Sequence, residues 1–203
     1  MGHHSGKLDP VKHFAFTIRR WALATVLCLV GHASAAGLRL YSETTFIAEV
    51  GAVTNYSLVG EGRKLSFIPP PGWSVKPDAS GKAIQLIPQN LNAGITLRIT
   101  LAEEKGRPSL DPNKLREVVM ERYPGARITN QFTCYTSAEK GTAFDFERTV
   151  QTNTRAAGRM AFVSFDAGTI EFELTTLADK LPDYRLTFGA VMTSFQVEPF
   201  PDK

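Results

Sequence analysis

Histidine and cysteine are scarce in this chain, with four and two copies among 203 residues. His3, His4, His13, His32 and Cys28 all fall within the first 35 residues. Beyond that point there is no imidazole, and Cys134 is the single thiol. A Ser–His–Asp triad, a Cys–His pair and every imidazole-held metal site are thereby excluded from the remainder. One thiol makes neither an internal disulfide nor a cysteine-rich zinc site. Glycine-rich phosphate cradles are missing too: neither G-x-x-x-x-G-K-[ST] nor G-x-G-x-x-G occurs, and Gly60-Glu61-Gly62 reads as a loop.

The first 35 residues have the parts of a secretory signal peptide. Lys7, Lys12, Arg19 and Arg20 stand against one acid, Asp9, and the apolar run Trp21–Val30 comes directly after them. Small residues, Ala33-Ser34-Ala35-Ala36-Gly37, then supply an A-x-A cleavage site. Ten apolar residues are too few to span about 30 Å of hydrocarbon, so no transmembrane helix is expected after cleavage. The leader predicts an extracytoplasmic, secreted or periplasmic location. Removing it takes away four basic residues and one acid, which brings a formal charge of +3 down to neutrality. No clustered basic face remains for nucleic acid. A polybasic grip on lipid is disfavoured for the same reason, which leaves peripheral membrane association to other means.

Residues 36–55 read as an N-terminal lead-in, and residues 56–198 as a single domain. Strand candidates begin at Tyr56–Val59 and Leu65–Ile68, where Pro69-Pro70-Pro71-Gly72-Trp73 forces an extended exit and a turn. Ala83–Ile87 and Ile95–Leu101 resume strand character. In the second, Ile95, Leu97, Ile99 and Leu101 alternate with Thr96, Arg98 and Thr100, so one face is expected to be buried. Asp111-Pro112 opens a helix as N-cap and N1, with Leu115, Val118, Val119 and Arg122 along one side and Tyr123-Pro124-Gly125 as its stop. Further strand candidates lie at Arg127–Tyr135, Thr142–Gln151 and Arg159–Phe165, and a tight turn at Asp166-Ala167-Gly168 leads into Thr169–Thr176. A last helix starts near Pro182, with Tyr184, Phe188, Val191, Met192 and Phe195 at helical spacing. Links this short join antiparallel strands, so the class is α+β with a largely antiparallel central sheet flanked by helices.

Carboxylates are the main chemistry left. Asp145 and Glu147 alternate with Phe144 and Phe146, and Glu171 and Glu173 flank Phe172. If their strands lie close, four acids share a face and suit Ca²⁺, which takes oxygen ligands. Arg148, Arg155 and Arg159 offer the competing reading, a row of cross-strand ion pairs. Cys134 alternates with Thr133 and Tyr135 and is expected as a small buried hydrophobe. Trp73, set after three prolines and a glycine, is either a core anchor for the turn or an exposed interaction residue.

Leu65-Ser66-Phe67-Ile68-Pro69-Pro70-Pro71-Gly72-Trp73 resembles the strand-then-Pro-Pro-Gly-Trp signature of the PsbP/Mog1-like superfamily. Tyr184–Phe188 and Val191–Phe195 are similar to its last helix and Ser-Phe exit. The resemblance spans about residues 56–198. It implies an α/β/α sandwich and a habit of docking onto proteins or membrane complexes, as in the PsbP-like and DcrB-related envelope proteins. Most members of that superfamily are not enzymes, so no enzyme is expected here, nor any cofactor, and the metal-binding histidines associated with PsbP have no counterpart in the chain beyond residue 35.

Three functions are compatible with these features. The first is a non-catalytic extracytoplasmic binding or accessory module for an envelope or membrane-associated complex. The second is a carrier of a small apolar ligand or lipid, lined by some of the 13 phenylalanines. The third is a carboxylate-based calcium-binding or hydrolytic site.

Overall fold

The computed structural model describes residues 39–200, apart from 50, 61, 79–82, 103–105, 152–153 and 167. The expected leader and all four histidines lie outside the described residues. The chain divides into two units, Met1–Ala35 and Ala36–Lys203, and every described residue belongs to the second.

Eleven strands and two helices occur among the described residues: β1 (Arg39–Ile47), β2 (Gly51–Gly60), β3 (Arg63–Phe67), β4 (Trp73–Pro77), β5 (Ala83–Pro88), β6 (Ala93–Leu101), α1 (Pro112–Arg122), β7 (Arg127–Tyr135), β8 (Lys140–Gln151), β9 (Thr154–Phe165), β10 (Gly168–Leu177), α2 (Leu181–Ser194) and β11 (Gln196–Pro199). They form a seven-stranded sheet in the order β4-β5-β6-β10-β9-β8-β7 and a four-stranded sheet in the order β1-β2-β3-β11. Every neighbouring pair is antiparallel. The fold is mixed α+β with mostly antiparallel sheets, as the short links require.

The second sheet is a departure from the expected single central one. Residues 39–55, read as a lead-in, carry β1 and the start of β2, paired from Arg39 opposite Val59 to Ile47 opposite Gly51. β-branched and aromatic residues favour that state. The sequence pattern is weak there because β1 is almost wholly exposed, so no apolar stripe marks a buried face.

Alternation on β6 holds as expected: Ile95 and Leu97 are buried, while Thr96 and Arg98 point to the opposite face. The buried side packs with Phe172, Leu174, Phe188, Phe195 and Phe67 in the larger core, so α2 and the small sheet both lie against it. α1 lies against the other face, where Leu115, Val119 and Tyr123 meet Phe144, Phe146, Met160 and Phe162. Asp111 caps α1 by accepting from the Asn113 N–H at 2.9 Å, and Pro112 occupies the first turn.

The triple proline makes the passage between the sheets. The Trp73 N–H donates to the Pro70 carbonyl at 3.1 Å, with Pro71 second and Gly72 third, at φ 77°. Proline then glycine with positive φ is the requirement of a type II turn. Ser194, at the end of α2, holds the exit by accepting from the Ile68 N–H at 3.0 Å.

Candidate functional site

The four acids do not share a face. In β8, β9 and β10, Asp145 lies opposite Arg159 and Arg159 opposite Leu174, which puts Asp145 and Glu147 on the α2 side of the sheet. Glu173 lies opposite Met160, and Met160 opposite Phe144, so Glu171 and Glu173 are on the α1 side. The expectation of a joint Ca²⁺ or hydrolytic site fails on register, because opposed residues share a face and adjacent residues do not. Among the described residues no three His, Cys, Asp or Glu side chains come together as a metal site.

Each pair of acids is instead committed to arginines. Asp145, at 2% side-chain exposure, accepts two bonds from Arg159, at 2.7 Å from Nε and 3.0 Å from Nη2. Arg185 of α2 reaches the same carboxylate at 3.3 Å. The guanidinium of Arg159 lies 4.5 Å from the centre of the Phe132 ring. A two-pronged Arg–carboxylate contact of this kind matches both geometries and fixes the pair inside an otherwise apolar layer. Glu147, further out, meets Arg155 at 3.3 Å. The cross-strand reading therefore holds for Arg155 and Arg159, whereas Arg148 sits 4.9 Å from the centre of the Tyr123 ring.

On the α1 side, Arg98 donates to Glu171 at 2.7 Å and to Glu173 at 2.6 Å. Arg122, at the end of α1, bonds Glu171 closely and Glu173 at 3.2 Å. The Tyr123 hydroxyl donates to Glu173 at 2.5 Å. Burial works against the charge on both arginines, yet Glu173 and Glu171 outweigh it and raise both above the ordinary guanidinium value. Burial first, and then the Glu173 charge, drive the Tyr123 phenol well up. Arg98, Arg122, Arg185 and Tyr123 are not among the candidates that the sequence suggests. Their one signal is a charged or hydroxylated side chain at a sheet-facing position, Arg98 in the alternation of β6 and Arg122 in line with Leu115 and Val119.

Cys134 is buried, and burial pushes its thiol up to about 11. A nucleophilic cysteine needs the opposite shift.

Trp73 opens β4, an edge strand. It is half-buried, packed edge-on against Tyr184 of α2 with ring centres 6.0 Å apart. It also lines an open groove of about 470 Å³ with Lys76, Ile87, Pro88 and Leu91. Leu91 is 63% exposed and has φ 56°, the left-handed region that disfavours a branched aliphatic side chain. Its loop is tightly held. The Leu91 N–H donates to the Pro88 carbonyl at 3.1 Å, Asn90 Nδ2 donates to the Tyr184 hydroxyl at 3.3 Å, and Thr176 donates to the Asn92 carbonyl at 2.8 Å. A second cavity, of about 220 Å³, has Val163, Phe165, Ile170 and Phe195 as its apolar floor and Arg63, Glu139 and Asp166 at its edge. Among the described residues no helix is long and apolar enough to cross a membrane.

No family model and no curated protein matches the chain. Among solved structures it is similar to LpqN of Mycobacterium tuberculosis, described as involved in cell envelope biogenesis, at 13% identity over 79% of this chain and 92% of that one, with a TM-score of 0.49. It is also similar to the cyanobacterial PsbP of Synechocystis, at 17% identity over 85% of this chain and 99% of that one, with a TM-score of 0.48. Both likenesses are of fold alone.

Proposed function

We propose that this chain is a non-catalytic, extracytoplasmic binding module that supports an envelope or membrane-associated protein complex, and that it meets its partner at the groove beside Trp73. In this reading residues 1–35 are the leader, residues 56–198 form a layered α/β/α domain, and residues 39–55 extend it as a hairpin. The carrying observation is Leu91. An exposed leucine in left-handed backbone costs about 1–2 kcal/mol where asparagine or glycine fits at less cost. Such strain persists where the surroundings hold it, and it points to a role for the side chain. Here Leu91 extends the apolar wall formed by Trp73, Ile87 and Pro88. Lys76 at the edge favours an acidic neighbour on the partner.

Two further features support the reading. Asp145, Glu171 and Glu173 are all held by arginines, and the Cys134 thiol is pushed up, so these groups are structural. The 220 Å³ cavity falls short of the roughly 300–1,000 Å³ that small-molecule pockets occupy, and the 470 Å³ groove at Trp73, though large enough, is open to solvent and would not enclose an apolar ligand, which gives the carrier reading less support.

The test is a pull-down from a membrane and envelope fraction with the full chain and with Leu91→Glu. A partner held by the wild type and reduced tenfold or more by Leu91→Glu, at an unchanged melting temperature, is the expected result. Equal recovery by both, or no reproducible partner, removes the proposal.

A further inference from the structure

Two open sheets present four edges, and three of them are blunted. β4 has five residues and ends in Lys76-Pro77. β11 has four and ends on Pro199. β7 has nine, but its register shifts between Ile128 and Asn130. Short strands, lysine, proline and bulges are the devices that keep an edge from pairing with another chain.

β1 has none of them. Its nine residues, RLYSETTFI, pair one-to-one with β2 without a break and contain neither proline nor lysine. Among the described residues its other side has no strand partner. Phe46 is 80% exposed, and Tyr41 and Ile47 are exposed too.

The charges on this strand point to the occupant. Arg39, Tyr41 and Glu43 alternate and so share one face. Neither Arg39 nor Glu43 has an ion-pair partner among the described residues, unlike the buried acids of the large sheet. Consider a second copy added antiparallel about a two-fold axis at Tyr41. Arg39 then faces Glu43 of the other copy, Glu43 faces its Arg39, and the two Tyr41 rings meet between them. Opposite charges set across an antiparallel pair are favourable, and like charges are not. Moving the axis to Ser42 puts Arg39 opposite Thr45 and leaves both charges unmatched. Moving it to Glu43 sets two carboxylates face to face. Of these three, the axis at Tyr41 alone matches charge, and the match is reciprocal, as a two-fold contact requires.

We propose that β1 is a self-association edge, at which two copies of this chain join antiparallel about Tyr41 through reciprocal Arg39–Glu43 pairs. The proposal is independent of the groove at Trp73, which belongs to the other sheet.

The test uses the purified full chain carrying Cys28→Ser, treated with a mild thiol oxidant. Directly opposed residues of an antiparallel pair have Cα atoms about 4.5–5.5 Å apart, within disulfide range. Tyr41→Cys is therefore expected to give a disulfide-linked dimer on a non-reducing gel, and Thr45→Cys to give at most a fifth as much. Adding Arg39→Glu or Glu43→Arg to Tyr41→Cys should lower the dimer yield at least fivefold, and adding both together should restore it. Restoration by the double swap is what a merely misfolded variant would not show. No dimer from Tyr41→Cys, equal yields at 41 and 45, a maximum from Glu43→Cys, or a double swap no better than the single ones would each overturn the proposal. Dimer yields indifferent to the charge swaps would overturn it too, by assigning the association to another surface.

Discussion

Asp145→Asn removes one charge from the most deeply buried ion pair in the large sheet. Asp145 is 2% exposed and Arg159 16%, so bulk solvent screens the pair little. Breaking a buried pair by removing one partner costs about 3–5 kcal/mol, because the remaining charge stays buried. Asparagine keeps the shape and one acceptor, and the Phe132 ring still faces the guanidinium of Arg159. Both set the expected cost at the lower end, about 3 kcal/mol. Arg185 is about half exposed, so its bond to Asp145 adds less than about 1 kcal/mol. In a domain of this size a loss of about 3 kcal/mol corresponds to a fall in melting temperature of about 6–12 °C. Thermal melts and urea titrations followed by circular dichroism measure it. The paired change Asp145→Leu/Arg159→Met is expected to cost less than Asp145→Asn alone, since no orphaned charge remains. A cost below about 1 kcal/mol for Asp145→Asn, or a paired change as costly as the two single ones added, is incompatible with a buried and unscreened pair.

Gly158→Ala should destabilise by about 3 kcal/mol, at the upper end for overpacking. A Cβ there would meet Phe146 Cζ at 2.5 Å and the Leu174 carbonyl at 2.6 Å. Phe146 has little freedom to retreat, stacked as it is on Tyr123 with ring centres 4.4 Å apart; a urea midpoint equal to wild type would contradict this. Leu91→Asn should raise stability by about 1 kcal/mol, because asparagine accepts the left-handed conformation, and should weaken partner binding at the same time. A melt and the pull-down read the two effects separately. Above the ordinary thiol value stability should fall with rising pH, since folded Cys134 holds its proton up to about 11 while the unfolded chain releases it earlier. Its contribution is complete below the unfolded value and is lost as pH rises through the folded one. Cys134→Ala should flatten that limb in urea midpoints taken between about pH 8 and 10.5, and an unchanged slope would exclude Cys134 as its source.

Much of the fold is legible in the sequence because its signals are local. Asp111-Pro112 announces a helix start and Pro71-Gly72 a turn, since cap geometry and positive φ concern neighbouring residues alone. The alternation over Ile95–Leu101 reads correctly for the same reason. β1 is not legible, because an exposed strand bears no stripe. The fate of the acids is not legible either. Asp145 and Glu173 each look like half of a carboxylate site until register places them on opposite faces. The guanidinium that Glu171 accepts from at 2.7 Å belongs to Arg98, 73 residues away in the chain. Tyr123 reads as the stop of a helix, whereas its hydroxyl serves Glu173.

The inventory of side chains comes from the amino-acid order alone. Beyond the first 35 residues there is no imidazole and one thiol, and the period of two sets which neighbours along a strand part company. Those facts rest on residue identity and backbone geometry, and no packing arrangement alters them. Which strands lie side by side is settled in three dimensions, because pairing in a sheet joins segments across any separation in sequence. That choice turned four acids into two arginine-held pairs on opposite faces, and among the described residues it left the outer edge of β1 without a strand partner and Trp73 beside an open groove.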